Sequence, residues 1–323
     1  MRAIVTGGAG FIGSNIVDAL TERGDEVTVI DDLSTGKREN LDLALSRGAR
    51  LCVLDIRDAE QLSGVIDEVA PQTIFHLAAQ IDVRRSLAEP AWDATINVAG
   101  TINVLEAARR HGVARIVNSS TGGAIYGDAE TIPSSEATTP LPEAAYGQSK
   151  LSAEGYLGLY ERLYGQSSVT LRYGNVYGPR QDPLGEAGVV AIFTGLLESG
   201  GQPTVFGDGT QTRDYVYVGD VVAANLAAAQ ADVHGAINIG TGVETSVLEL
   251  IAVLRELAGA ESFEPRFEPA RLGELARSCL DVTLARETLG WTPSVTVREG
   301  LRLTFVASRA APTRGAPPRR RAR

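Results

Sequence analysis

Cysteine, histidine and long apolar runs are scarce in this sequence, and each scarcity excludes a class of protein. Two cysteines in 323 residues, Cys52 and Cys279, cannot build a disulfide framework. Neither sits in a CxxC pair, so both read as reduced thiols in a cytoplasmic protein. His76, His111 and His234 are too scattered for a histidine metal site, and no metal is expected. No apolar stretch approaches the length of a membrane span, so no membrane partner is expected. Met1-Arg2-Ala3 runs straight into an apolar stretch, and no signal peptide is expected. Positive charge is outweighed, with 30 Lys and Arg against 40 Asp and Glu, which argues against nucleic acid as the main partner. The last fifteen residues, 309–323, break the pattern. They are rich in Pro, Gly, Ala and Arg and read as a disordered basic tail.

What is present is a regular alternation. Apolar runs at 3–6, 27–31, 51–54, 73–77, 114–119 and 168–173 read as strands. Helical patterns at 11–23, 39–47, 58–69, 92–111 and 146–164 lie between them. Alternation with helix-length spacers predicts an α/β fold with a doubly wound parallel sheet, a Rossmann arrangement whose ligand lies at the carboxyl ends of the strands. After Asn175 the alternation loosens among Pro179, Pro183, Gly185, Gly188, Gly200, Gly201 and Pro203, with a helix at 189–198. Residues 215–218 and 225–231 read as a return to the sheet and its flanking helix, and 236–239 as a last strand. The expected division is a larger lobe of 1–174 plus 215–239 and a smaller, interleaved α/β lobe of 175–214 plus 240–308.

Two motifs carry chemistry. Gly8-x-Gly10-x-x-Gly13, or Gly7-x-x-Gly10-x-x-Gly13, follows the first strand and opens the first helix. Glycines there let the backbone turn tightly and approach a pyrophosphate at a helix N-terminus. The second strand ends in Asp31, whose carboxylate suits an adenosine ribose and repels a 2′-phosphate, so NAD is expected over NADP despite Lys37 and Arg38. The larger lobe is then the NAD lobe. The second motif is Tyr146-Gly147-Gln148-Ser149-Lys150. On a helix the tyrosine and lysine share a face. An ammonium beside a phenol favours the phenolate, which makes the pair a proton-transfer device.

Further motifs are Thr6-Gly7-Gly8-Ala9-Gly10-Phe11-Ile12-Gly13, His76-Leu77-Ala78-Ala79, Asn97-Val98-Ala99-Gly100-Thr101, Ser119-Ser120-Thr121-Gly122-Gly123-Ala124-Ile125-Tyr126-Gly127, residues 171–180 and Arg213-Asp214-Tyr215. Together they resemble the extended short-chain dehydrogenase/reductase family and, within it, the UDP-glucose (UDP-galactose) 4-epimerases, over residues 1 to about 305. The resemblance implies that Tyr146 takes the proton of the sugar 4-hydroxyl and that NAD accepts and returns a hydride at C4. It implies that Lys150 holds the nicotinamide ribose and lowers the Tyr146 pKa, and that Thr121 orients the 4-oxygen. It assigns NAD contacts to Gly7, Gly10, Phe11, Ile12, Gly13, Asp31, Asp32, Asp55, Ile56, Leu77, Ala78, Ala79, Gln80, Asn97, Ser119, Tyr146, Lys150 and Tyr173. On the substrate side it implies Thr121, Tyr146, Asn175, Val189, Val205, Phe206 against the uracil, Arg213 and Arg271 on the diphosphate, Glu274 near the ribose, and Ser278 at the hexose. A serine at 278, where a tyrosine would restrict the pocket, implies room for an N-acetyl group. The resemblance also implies a homodimer built on helices 92–111 and 146–164.

Several readings stay open at this level. Ser119, Ser120 or Thr121 could face the 4-oxygen, with Thr121 favoured. Asn97 could be a plain helix cap. A UDP-glucuronate 4-epimerase fits the same motifs. A nucleotide-sugar 4,6-dehydratase fits less well, because Gly122-Gly123 after Thr121 cannot transfer protons. A non-catalytic NAD-sensing protein could keep the glycines, but this chain also keeps the Tyr–Lys pair.

Overall fold

The apolar runs are buried on both faces, which is what a parallel sheet covered by helices requires. In the computed structural model, which describes residues 1–183, 188–270 and 275–310, Ala3, Ile4 and Val5 have no exposed surface. Ala3 and Val5 pack into one core and Ile4 into the other, the two-residue alternation of a strand.

The chain opens with β1 (Arg2–Thr6), α1 (Phe11–Glu22), β2 (Glu26–Asp31), α2 (Asp42–Ser46), β3 (Arg50–Val53), α3 (Ala59–Val69) and β4 (Thr73–His76). Two short helices follow, α4 (Val83–Ala88) and α5 (Pro90–Ala94), then a π-helical turn (Thr95–Gly100) and α6 (Thr101–Arg110). Next come β5 (Arg115–Thr121), α7 (Gly122–Ile125), α8 (Ala145–Tyr164), β6 (Ser168–Tyr173), β7 (Asn175–Tyr177), α9 (Val189–Ser199), β8 (Thr204–Phe206) and β9 (Thr212–Tyr217). The last part holds α10 (Val218–Gln230), β10 (Gly235–Ile239), β11 (Glu244–Ser246), α11 (Val247–Ala258), β12 (Arg266–Glu268), α12 (Thr283–Leu289) and α13 (Val297–Ala310).

Seven parallel strands form the main sheet in the order β10-β6-β5-β4-β1-β2-β3. One face packs on α1 and α10 through Ile16, Val17, Leu20, Val221 and Ala224. The other packs on α3, α6 and α8 through Leu62, Ile66, Val104, Leu105 and Leu157. A third core around Tyr177, Phe193, Val205, Tyr215, Leu250 and Leu254 makes the smaller lobe.

Three expectations change. Residues 215–217 do not return to the main sheet. They lie in β9, which pairs with β7 and β11 in a separate three-stranded sheet. The chain re-enters the larger lobe at α10, because Val218, Val221 and Ala224 must be buried on the main sheet. The helix read at 92–111 is not uniform: it begins at Pro90 and contains the π turn before α6. Helices α11, α12 and α13 were not read from the sequence at all.

Asp214 joins the lobes. Its buried carboxylate accepts from Thr241 N at 2.6 Å, Thr241 Oγ1 at 2.6 Å, Gly242 N at 3.0 Å and Leu280 N at 3.2 Å. The loop after β10 and the segment before α12 are thereby tied to β9.

Candidate active site

The residues between β1 and α1 form a cradle that side chains would fill. Gly7 has φ +68°, and a Cβ on it would lie 2.6 Å from Ala78 N. A Cβ on Gly13 would lie 2.2 Å from Gly7 O. Gly10 precedes α1 with no side-chain cap, leaving the first-turn amides of Phe11, Ile12 and Gly13 for an anion. This geometry fits a dinucleotide pyrophosphate.

Asp31 closes the cradle at the end of β2. It accepts from Ala9 N and Leu33 N, both at 2.9 Å, and burial pushes its carboxyl up. Asp32 is committed to its own turn, accepting from Ser34 N at 2.9 Å and Ser34 Oγ at 2.6 Å. Lys37 is ion-paired with Asp182, so its charge is already opposed and a 2′-phosphate gains little from it. Arg57 grips Asp55, with Nε to Oδ2 at 2.9 Å, and holds that carboxyl below the usual range. Ile56 is buried against Gly100, where a Cβ would lie 2.5 Å from Ile56 Cδ1. Ala79 is partly exposed beyond β4.

A buried relay ties these pieces together. Leu77 N and Ala78 N each donate to Thr6 Oγ1 at 3.2 Å. Thr6 Oγ1 lies 2.7 Å from His76 Nδ1, and His76 Nε2 lies 3.0 Å from Thr101 Oγ1. Thr101 donates its proton to Asn97 O at 2.7 Å. It must therefore accept from His76 Nε2–H, which leaves Nδ1 to accept from Thr6. His76 is a neutral imidazole, its pKa lowered to about 3 by burial and then by Lys150.

Asn97 lies in the π turn, two residues inside it, and is not a helix cap. Its Nδ2 donates to Gln80 O at 3.0 Å and to Ser149 Oγ at 3.0 Å, and its Oδ1 accepts from Gln80 N at 2.8 Å. Ser149 Oγ donates to Tyr146 O at 3.0 Å. The π turn is thereby bonded to the first turn of α8.

Tyr146 and Lys150 stand one turn apart on α8, as their spacing predicts. Their electrostatics differ from the expectation. Tyr146 keeps part of its surface open, yet the protein packed around it, and then Asp93, push its phenol up to about 12. Burial lowers Lys150 to about 8, against the opposing carboxylates of Glu154 and Asp93. Desolvation dominates both groups and outweighs the expected lowering of the Tyr146 pKa.

The three hydroxyls at the end of β5 separate by strand alternation. Ser120 is buried and donates to Glu154 Oε1 at 2.6 Å. Glu154 also pairs with Arg172 at 2.6 Å, and Arg172 donates to Tyr126 at 2.9 Å. Ser119 and Thr121 point to the other face of the strand. Ser119 bonds Tyr173, whose hydroxyl also exchanges hydrogen bonds with Asn225 at 3.0 and 2.8 Å, and burial pushes that phenol up to about 12. Thr121 Oγ1 accepts from Ala124 N at 3.2 Å, leaving its proton to point elsewhere. A Cβ on Gly123 would lie 3.5 Å from Asn175 Oδ1 and 4.0 Å from Thr121 Oγ1, so Thr121 and Asn175 flank one point.

On the substrate side the lobes contribute unevenly. Val205 is 1% exposed and faces the smaller core, not a cleft, whereas Phe206, next on β8, takes the other face. Val189 starts α9 and packs against that core. Arg213 lies on β9, with Nη1 donating to Thr212 O at 2.8 Å. Ser278 N donates to Thr212 O at 3.2 Å, which brings Ser278 alongside Arg213. Arg271 and Glu274 lie outside the described residues.

The sequence assigns no role to Asp93, Glu154, Ser149 or Thr101, although the last two lie inside its motifs. Helical spacing held a signal for three of them: Asp93 precedes Asn97 by four residues, Ser149 follows Tyr146 by three and Glu154 follows Lys150 by four. A separate open cleft of about 450 Å³ beside α3 carries Ser63, His111 and Asp67, with Ser63 Oγ 2.8 Å from His111 Nε2 and His111 Nδ1 3.1 Å from Asp67. Ser63 lies inside α3, whose amides are used within the helix, so no oxyanion hole faces it. Among the described residues no three His, Cys, Asp or Glu side chains are grouped to hold a metal ion, and no helix is long and apolar enough to cross a membrane.

Comparison with known proteins places this geometry in a lineage. A UDP-glucose 4-epimerase of Mycolicibacterium smegmatis is 48% identical over 306 residues, covering 94% of this chain and 97% of its own. The crystal structure of a Thermotoga maritima UDP-glucose 4-epimerase with UDP-glucose superposes with a TM-score of 0.92 at 47% identity, covering 96% of this chain and 99% of the other. A Thermus thermophilus UDP-glucose 4-epimerase in complex with NAD gives a TM-score of 0.90 at 44% identity, covering 96% and 100%. Residues 3–240, which run from β1 to the end of the seven-stranded sheet, match one family along their whole length, and the chain belongs to the NAD dependent epimerase/dehydratase family.

Proposed function

We propose that the chain interconverts UDP-glucose and UDP-galactose by oxidation at C4, rotation of a 4-keto sugar and reduction of its other face. The observation that carries this is the 47% identity, over nearly the whole of both chains, to an epimerase solved with UDP-glucose. Site geometry supports it residue by residue. Bound NAD supplies the hydride acceptor and donor for C4 and, when oxidised, a positive charge in the site. Gly7, Gly10 and the first-turn amides of α1 hold the pyrophosphate, and Asp31 the adenosine ribose. Tyr146 Oη takes the 4-hydroxyl proton and later returns it. Thr121 donates to the 4-oxygen, since Ser120 is held by Glu154. Arg213 is assigned to the diphosphate, Phe206 to the uracil and Asn175 to the sugar or diphosphate, and Arg271, outside the described residues, is assigned to the diphosphate by its place in the sequence alone.

This reading assigns NAD to residues 1–174 with 218–239, the expected boundary after 214 moving to 217 because β9 belongs to the smaller sheet. The sugar nucleotide falls to 175–217 with 240–308. Two unpaired cysteines, Cys52 and Cys279, fit a reducing compartment such as the cytoplasm.

The test is to denature the purified protein, identify the released nucleotide, and follow UDP-galactose by NMR in the native protein. NAD release together with conversion to UDP-glucose is expected. Release of NADP, or no change in UDP-galactose, overturns the reading.

A further inference from the structure

Asp93 is fully buried on α5, yet its two carboxylate oxygens are treated unequally. Oδ1 accepts from Gln80 Nε2 at 2.8 Å and from Asn97 Nδ2 at 3.3 Å. Oδ2 is buried and has no hydrogen-bond partner among the described residues. A buried carboxylate with a bare oxygen is costly unless positive charge lies close by. That charge is available, because α5 packs against α8, which carries Lys150 and Tyr146 into electrostatic reach of Asp93. The groups that hold Asp93 also hold the pair. Asn97 bonds Ser149, and Ser149 bonds the Tyr146 carbonyl. Gln80 leaves β4 just after Leu77, Ala78 and Ala79 and anchors itself on Asn97.

We propose that Asp93 is a positioning residue for the Tyr146–Lys150 pair: its clamped carboxylate is the fixed negative charge that keeps Lys150 an ammonium in a buried site and sets the pH at which Tyr146 gives up its proton. The proposal rests on the reading of Tyr146 as the proton acceptor.

The surrounding charges leave Asp93 in that role. From α8 it faces Tyr146 and Lys150, with Glu154 one turn beyond Lys150. On β4, His76 is buried and neutral. The π turn, 95–100, contains no titratable residue. On α4, Arg85 stacks over Trp92 at 3.5 Å and reaches Glu89 at 3.6 Å, so it is engaged at the surface. Arg84, on the same helix, and Asp82, which caps it, lie nearer solvent.

The sign follows from charge alone. A negative neighbour stabilises an ammonium and opposes a phenolate, so it raises both pKa values. Asp93→Asn keeps an acceptor for Gln80 and removes the charge, so both pKa values fall. The two limbs of the kcat/KM profile, which this pair sets between them, therefore both move to lower pH, by about one pH unit each. A residue of purely structural importance lowers the plateau and leaves the limbs in place.

The experiment records pH profiles of wild type and Asp93→Asn, and titrates Tyr146 by NMR of ¹³C-labelled tyrosine in the NAD-containing protein without turnover. Asp93→Ser, whose hydroxyl can also accept from Gln80, serves where the asparagine amide prevents folding. A fall in the Tyr146 titration point together with a shift of both limbs supports the proposal. Unmoved limbs and an unmoved Tyr146 resonance overturn it and leave the reading of Tyr146 intact. A moved resonance with unmoved limbs upholds the electrostatic role of Asp93 and counts instead against Tyr146 as the proton acceptor.

Discussion

Ser120 Oγ donates a 2.6 Å hydrogen bond to Glu154, the carboxylate one helical turn beyond Lys150. Glu154 in turn grips Arg172 on β6, with both side chains under a tenth exposed. The strand end that carries Thr121 and the helix that carries Tyr146 are thus bolted to each other through a buried ion pair, which holds hydroxyl, phenol and ammonium in one register.

Tyr146→Phe is expected to lose turnover by about 10²–10⁴-fold, the usual contribution of acid–base catalysis, while NAD stays bound. The ring and its packing are retained, and the backbone N–H of residue 146 still donates to Ser86 Oγ at 3.0 Å. Steady-state rates and the nucleotide released on denaturation check this. Activity within threefold of wild type would sink the assignment.

Acid stability should depend on His76. Its folded pKa, about 3, lies below the ordinary 6.5, so the unfolded chain binds the extra proton. The stabilisation is full above pH 6.5 and is lost as pH falls toward 3. Between pH 7 and pH 5 this amounts to about 2 kcal/mol. His76→Gln can still accept from Thr6 and donate to Thr101 but does not titrate. Urea midpoints at the two pH values should diverge for wild type and converge for the variant; equal slopes for both would exclude His76 as the cause.

A homodimer is expected to form through α8. Leu157 and Tyr160 are buried in their own subunit and are not free for a partner. Tyr156, Leu163 and Tyr164 are exposed and Leu159 half-buried. With Ala91, Thr95 and Ala99 exposed across the π turn, they form a face suited to a helical bundle with a second copy. Sedimentation should show a homodimer at micromolar concentration and a monomer for Leu163→Glu. A monomeric wild type rejects the surface.

Substrate breadth should respond to Ser278. Its backbone is bonded to Thr212 at 3.2 Å beside Arg213, and the side chain is small. Unused space in a packed site loses a few contacts, whereas a clash cannot relax. Wild type is expected to convert UDP-GlcNAc and UDP-GalNAc as well as the unmodified pair, and Ser278→Tyr to lose the N-acetyl pair selectively. An unchanged ratio removes Ser278 from the gate.

Local periodicity determined much of this protein in advance. The alternation of strands and helices, the glycine turn and the Tyr146–Lys150 spacing follow from residues within one or two turns of each other, where backbone geometry admits few outcomes. Only the tertiary structure decided the rest, because each remaining question turns on a partner far along the chain. Tyr215 to Tyr217 pair with β7 and β11 instead of the main sheet, since a strand's membership depends on which edge is free. Ser120 was separated from Thr121 by Glu154, 34 residues away. The pKa order of Tyr146 and Lys150 was set by burial and by Asp93, and desolvation depends on everything packed around a group, which no spacing along the sequence encodes.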